Sequence, residues 1–218
     1  MKRVCIVGAA AALAREVMQH YLDLGWEVTG VWHRHRCELE HPRLRLIPYL
    51  DRKVLRGEIH DLLLTFTGRT QDARLELMTD LDWEEVVGGT LTPVFGALRA
   101  VIPLLKDGSN IVVVGSIVGS VGGFGCANYA AAKAGLVGLV RAAANELASR
   151  NIRANLLELG YVNAGMGSRL KDEVKEAILR TIPLRRFAEV NEVVEAIDYL
   201  GSVKYMTGNV LTLAGGLR

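Results

Sequence analysis

The sequence predicts an α/β domain built on a parallel sheet, and three observations predict it. Short aliphatic runs alternate with longer helix-like stretches along the whole chain, the pattern of strands joined by crossover helices. The first run, Val4–Val7, opens at once into a turn of small residues and then a helix. A later run, Ile111–Val114, ends just before Ser116, at the carboxyl edge where open α/β sheets place their ligands.

Each element follows from its local pattern. Val4 to Val7 reads as the first strand, Ala12 to Leu24 as a helix, and Gly25 as its stop. Trp26 to Trp32 reads as a second strand and Leu44 to Ile47 as a third. Asp51 to His60 offers at most a brief helix before the fourth strand, Leu62 to Phe66. Trp83 to Lys106 reads as a long helix bent near Pro93. The polar stretch Asp107 to Asn110 reads as a turn into the Ile111 strand. Tyr129 lies in a helix running to about Ser149, and Ile152 to Leu159 is the next strand. Glu173–Arg180 and Glu192–Leu200 are the last helices, and Val210–Leu213 closes the sheet. There is no internal repeat or linker, so residues 1–218 are expected to form one domain.

Composition narrows the function. Of 218 residues, 50% are hydrophobic and 23% charged, and the net charge of +2 is too close to neutral to favour nucleic acid or an anionic membrane. Three cysteines, Cys5, Cys37 and Cys126, form no CxxC pair. That argues against a disulfide framework or a structural metal and suits a reducing compartment. With no apolar leader and no run near 18 uninterrupted apolar residues, a cytoplasmic protein is expected.

The chemistry-bearing residues cluster. Tyr129 and Lys133 are four apart in an Ala-rich helix and so share a face. With Ser116 upstream they place a hydroxyl, a phenol and an ammonium at one strand edge, a set suited to proton transfer. Lys133 and the nearby helix N-terminus are expected to lower the phenol's pKa. Tyr49 and Lys53 repeat the spacing, but beside Pro48, and with Arg36 where a serine should stand. The bland alternative is a packed tyrosine beside a solvated lysine.

The turn after the first strand, Gly8 to Ala14, is where a dinucleotide's pyrophosphate would sit. Only Gly8 is glycine; Ala12 carries a Cβ where main chain should approach phosphate, and Leu13 follows it. A turn that binds nothing is an equal reading of these residues alone. After the second strand stand Arg34 and Arg36, with no acid before Glu38. Guanidinium groups there suit the extra phosphate of NADP, whereas a solvated basic cluster is the alternative.

Taken together, these residues resemble the short-chain dehydrogenase/reductase family, and most closely its β-ketoacyl-acyl-carrier-protein reductases. Gly115 to Leu136 looks like their active-site block throughout, and Asn151–Asn155, Met206–Gly208 and Gly215–Gly216 look like further family signatures. The resemblance implies a single Rossmann-like, doubly wound domain with a seven-stranded parallel sheet and helices on both faces. It implies NADPH as cofactor, Ser116, Tyr129 and Lys133 as catalytic residues, and cofactor contacts at Gly8, Ala12, Leu13, Gly68, Tyr129, Lys133, Gly160 and Val162. Thr90 stands where the family has a catalytic asparagine, and its shorter hydroxyl would bind a relay water.

The departures concern the cofactor. The family's three-glycine turn keeps Gly8 alone; its Asn-Asn-Ala-Gly motif is Thr65 to Gly68; its Pro-Gly motif is Leu159–Gly160; and a carboxamide-binding threonine falls at Ala164. Two functions are therefore carried forward. One is an active NADPH-dependent carbonyl reductase acting on a small-molecule or acyl-carrier-bound ketone. The other is a weak or inactive subunit assembled with an active reductase. Arg169, Lys171, Arg185 and Arg186, around an expected substrate lid from Met166 to Leu184, could meet an acidic carrier or form an ordinary solvated face. Surplus apolar residues on the long helix and on the Tyr129 helix, among them Leu136, Val137, Leu139 and Val140, predict a homodimer or homotetramer, or a hetero-oligomer with such a partner.

Overall fold

Hydrophobic strands with both faces covered build the centre of the molecule. The computed structural model describes residues 1–33, 35–48, 55, 59–165, 167 and 170–218. The seven strands are β1 (Arg3–Val7), β2 (Glu27–Val31), β3 (Leu44–Ile47), β4 (His60–Thr65), β5 (Leu105–Val114), β6 (Arg153–Leu159) and β7 (Val210–Leu213). They form one parallel sheet in the order β3-β2-β1-β4-β5-β6-β7.

Alternation along the strands feeds two cores. On one face Val4, Ile6, Leu64, Val112 and Leu157 pack with α1 (Ala12–Asp23) and α6 (Val190–Ser202). On the other, Cys5, Leu63, Ile111, Val113 and Leu156 pack with α2 (Asp80–Val101) and α4 (Ala127–Leu147). The remaining helices, α3 (Val118–Val121) and α5 (Asp172–Thr181), lie at the carboxyl edge of the sheet and in the segment after β6.

Three expectations are corrected. The long helix starts at Asp80, because Thr79 and Asp82 form a reciprocal capping box, Asp82 N–H to Thr79 Oγ1 at 3.1 Å and Thr79 N–H to Asp82 Oδ2 at 3.0 Å. It ends at Val101, followed by a 3-10 turn to Leu104. Asp107–Asn110 is not a turn before a strand but part of β5, with Gly108 at φ +83° and a register shift opposite His60 and Leu62. Ser109 Oγ donates to the His60 carbonyl at 3.0 Å, tying this irregular start to β4.

The stretch Asp80–Leu104 is long and apolar enough to cross a membrane by length and composition. In this fold Val94, Ala97, Leu98 and Val101 pack in the core beside α4, while Leu81, Trp83 and Phe95 stay exposed. The brief helix expected in 51–60 and the Tyr49–Lys53 pair lie largely or wholly outside the described residues.

Candidate active site

The strand order reverses between β1 and β4, which opens a crevice at the carboxyl ends of the strands. Ser116 is fixed on its far side by β6: Gly115 N–H donates to the Leu157 carbonyl and Ile117 N–H to the Leu159 carbonyl, both at 2.8 Å. Beyond it α3 packs so closely on α4 that a Cβ on Gly119 would lie 2.9 Å from Ala134 N. The Ser120 hydroxyl donates to the buried Glu158 carboxylate, which also accepts from Thr212 Oγ1 at 2.9 Å. These contacts leave the Ser116 hydroxyl facing α4, where it hydrogen-bonds the Tyr129 phenol.

Tyr129 is placed by its neighbour. Asn128 is fully buried; its Oδ1 accepts from Tyr129 N–H at 2.7 Å, and its Nδ2 donates to the Gln71 and Asp82 carbonyls at 3.0 and 3.1 Å. One amide side chain thus joins the start of α4 to the start of α2 and to the loop after β4. Asn128 was not singled out from sequence, although its spacing of four from Ala132, and of eight from Leu136, puts a polar residue on the buried stripe of α4.

Lys133 is 5% exposed and donates to two main-chain carbonyls, Thr67 at 2.9 Å and Val114 at 3.0 Å. Its ammonium lies 5.7 Å from the centroid of the Tyr129 ring. Burial lowers the lysine pKa to about 8. The expected depression of the phenol is not what the structure gives: burial raises the Tyr129 pKa, the Ser116 hydrogen bond pulls it back, and the Cys126 thiol adds a smaller upward push. In this arrangement the ammonium is engaged by carbonyls rather than by the phenol oxygen.

Thr90 is buried on α2, and its hydroxyl works on the main chain. Oγ1 accepts from Arg69 N–H at 3.1 Å and donates to the Arg69 carbonyl at 3.3 Å. Thr67 Oγ1 donates to the Thr90 carbonyl at 2.9 Å. A Cβ on Gly68, between them, would come within 3.8 Å of Tyr129 Oη and 3.9 Å of Lys133 Cε, so the bare face of this glycine borders the site.

The expected cofactor residues divide. Gly8 adopts φ +89°, and any Cβ there would overlap the Phe66 carbonyl. Ala11, in extended conformation, precedes α1; no side chain caps that helix, and no acid stands in its first turn. The Ala12 and Leu13 amides therefore present positive dipole ends to the crevice. The Ala12 methyl lies 3.6 Å from where a Cβ on Gly165 would stand, so it abuts the loop after β6. Leu13 packs against the core.

Gly160 donates to the Leu213 carbonyl at 2.9 Å and is crowded by Ala214, while Val162 pairs with Ala188 as an isolated bridge. Arg36 is exposed, and Arg34 lies outside the described residues. Gly8, the uncapped start of α1, Gly68 and the half-engaged Lys133 ammonium line a path that fits a dinucleotide.

Next to this path Tyr161 stacks on Phe187 at 5.3 Å. With Glu173, Val174, Ala177, Ile178 and Thr181 of α5 it lines an open cavity of about 480 Å³. The lid expected from sequence falls here, and Tyr161 adds an aromatic wall to it. Two of the basic residues expected around it are engaged within the chain. Arg186 makes two 2.6 Å contacts with Glu192, and Arg185, at φ +53°, donates to the Arg180 carbonyl at 2.6 Å; Arg169 lies outside the described residues.

Comparison with known proteins places these features. A family model described as enoyl-(acyl carrier protein) reductase matches residues 55–218. A 3-oxoacyl-[acyl-carrier-protein] reductase FabG of Thermotoga maritima is 40% identical over 162 residues, 72% of this chain and 65% of that protein. Its namesake in Staphylococcus epidermidis is 37% identical over 161 residues, 72% of this chain and 66% of that protein. The chain therefore spans just under two thirds of the length of these relatives. A solved short chain dehydrogenase family protein from Francisella tularensis superposes with TM-score 0.90 over 100% of this chain and 98% of its own, at 18% identity, a likeness of fold.

Proposed function

The chain belongs to the short-chain dehydrogenase/reductase family, and from that premise we propose that it is an NADPH-dependent carbonyl reductase. The observation that carries this reading is the assembly of Ser116, Tyr129 and Lys133 at one strand edge, with the serine hydroxyl near enough to the phenol to pull its pKa down. A nicotinamide bound there would supply the hydride. Ser116 holds the ketone oxygen, and Tyr129 gives its proton to the developing alkoxide. Lys133 keeps positive charge within 5.7 Å of the phenol ring and has hydrogen-bonding capacity beyond its two carbonyls for a ribose hydroxyl.

For the cofactor, the Gly8 turn with the amides of Ala12 and Leu13 would take the pyrophosphate, and Arg34 with Arg36 the extra phosphate. Gly68, Gly160 and Val162 would border the nicotinamide end. As substrate we propose a β-oxoacyl thioester, on an acyl carrier protein or free. The relatives' names support it, and Val174, Ala177 and Ile178 offer an apolar wall for its chain.

A second reading, a weakly active or inactive subunit working with another reductase, draws support from Ala12 in the phosphate turn and from the Thr90 hydroxyl being held by Arg69. Both readings include assembly. Leu81, Trp83 and Phe95 on α2 are 63%, 43% and 48% exposed, and a two-fold contact of α2 and α4 would cover them in a homodimer or homotetramer.

The deciding experiment titrates NADPH into the purified chain by fluorescence and follows ketone reduction in wild type and Tyr129→Phe, with light scattering for size. Reduction that vanishes in the variant while NADPH still binds supports the reductase. NADPH binding without turnover until a paralogue is added favours the subunit.

A further inference from the structure

The Lys133 ammonium is held from outside its own helix, and the holder is itself fastened. Its acceptor on the crevice side is the carbonyl of residue 67, in the segment after β4. That segment joins α2 by three hydrogen bonds within three residues: Thr67 Oγ1 to the Thr90 carbonyl, Arg69 N–H to Thr90 Oγ1, and Thr90 Oγ1 to the Arg69 carbonyl. Thr90 is fully buried, so these bonds are shielded from competing water. The aliphatic stem of Arg69 lies along Gly89, where a Cβ would come within 2.9 Å of the arginine Cβ, and its guanidinium pairs with Glu85 of α2. From α4, Tyr129 is the titratable neighbour of the ammonium; from the loop and α2, Arg69 and Glu85 neutralise each other.

We infer that Thr67 is a positioning residue for Lys133: its hydroxyl, with Thr90, forms a bracket that sets the 67 carbonyl where the ammonium needs it. The hydroxyl touches neither substrate nor cofactor in this role; it acts through the carbonyl of its own residue. A valine there keeps the branched shape and removes only the bond to α2. Losing a fixed acceptor destabilises the charged form of the lysine, whose pKa of about 8 already reflects burial. Because Thr67 and Thr90 act on one target, their removal is expected to be non-additive.

The proposal depends on the reductase reading only for its kinetic arm. In the full-length chain, Lys133 is titrated directly by NMR of labelled lysine side chains in wild type, Thr67→Val, Thr67→Ser and the Thr67→Val/Thr90→Val double variant, with thermal melting as a check on folding. Thr67→Val is expected to lower the lysine pKa by about half a unit or more, Thr67→Ser to restore it, and the double variant to add little. In parallel, ketone turnover is expected to fall about tenfold in kcat at nearly constant KM in Thr67→Val.

A lysine pKa that stays put or rises in a folded Thr67→Val chain overturns the bracket. So does a Thr67→Ser chain that behaves like valine. A lowered pKa rescued by serine, in a protein that reduces no ketone, upholds the bracket and counts against the reductase reading instead.

Discussion

Residues 1–54 and residues 55–218 meet at the β1–β4 strand pair inside the sheet, yet they stand differently toward the family. The second region matches the family model and holds Ser116, Tyr129, Lys133 and the residues that brace them. The first carries β1 to β3 and the turn proposed to hold a pyrophosphate, outside that match. What survives in the first region is what the fold demands. Gly8 would be glycine in a domain that bound nothing, because a Cβ there overlaps the Phe66 carbonyl of the neighbouring strand connection. Ala12 borders the loop after β6, its methyl 3.6 Å from where a Cβ on Gly165 would stand, and its backbone is not in a glycine-requiring conformation. Gly8 is therefore evidence about packing, and residue 12 is the position at which the proposed cofactor site can be tested.

The largest effect tests the second region. Tyr129→Phe removes the proton donor and keeps the ring, so kcat for ketone reduction should fall by about 10³-fold while NADPH binding persists; stopped-flow turnover and fluorescence titration read the two separately. Near-normal turnover would dismantle the assignment of the donor.

Next comes the packing role of the first region. Gly8→Ala forces a side chain into φ +89° and onto Phe66, and should destabilise the fold by about 3 kcal/mol, visible as a lower thermal midpoint even without dinucleotide.

Smaller effects sharpen the contrast at the cofactor. Replacing Arg34 and Arg36 by alanine should remove about a tenfold preference for NADPH over NADH, measured as a ratio of Kd values. Equal affinities in the wild type would reject the phosphate assignment. Smallest is Ala12→Gly, expected to tighten dinucleotide binding about threefold by removing the methyl nearest the pyrophosphate. Titration calorimetry that shows no gain would mean the turn accommodates its methyl by another route.

Much of this was legible in residue types and their spacing. The strands Leu44–Ile47 and Val210–Leu213 begin and end where the pattern predicts, since a short run that opens after a polar residue and closes at Pro48 or just before Gly215 leaves little choice of frame. The start of β5 was not legible, because Asp107, Gly108, Ser109 and Asn110 carry local turn chemistry that pairing with β4 overrides. The start of α2 was missed because its capping box uses Asp82 in place of the usual glutamate or glutamine. α3, four residues long, is too short to show a period.

At the site, side chains with distinctive chemistry could be read, but their acceptors could not. The carbonyls of Thr67 and Val114 decide where Lys133 points, and a main-chain carbonyl leaves no trace in residue identity. For the same reason the sequence suggested a lysine turned to the phenol, whereas burial dominates both groups and main-chain carbonyls hold the ammonium.

The buried ammonium has a thermodynamic consequence. Lys133 binds its proton more weakly folded, with a pKa of about 8, than at the ordinary lysine value of 10.5. The unfolded chain therefore holds more protons between those values, so this group makes the native state more stable as pH rises through that window, and its full penalty applies below pH 8. The depression amounts to about 3 kcal/mol at neutral pH, a sizeable fraction of a domain's net stability. Lys133→Met removes this titration along with the donor to the Thr67 and Val114 carbonyls, so calorimetric melts from pH 7 to pH 10 should show wild type gaining on the variant as pH rises through that window.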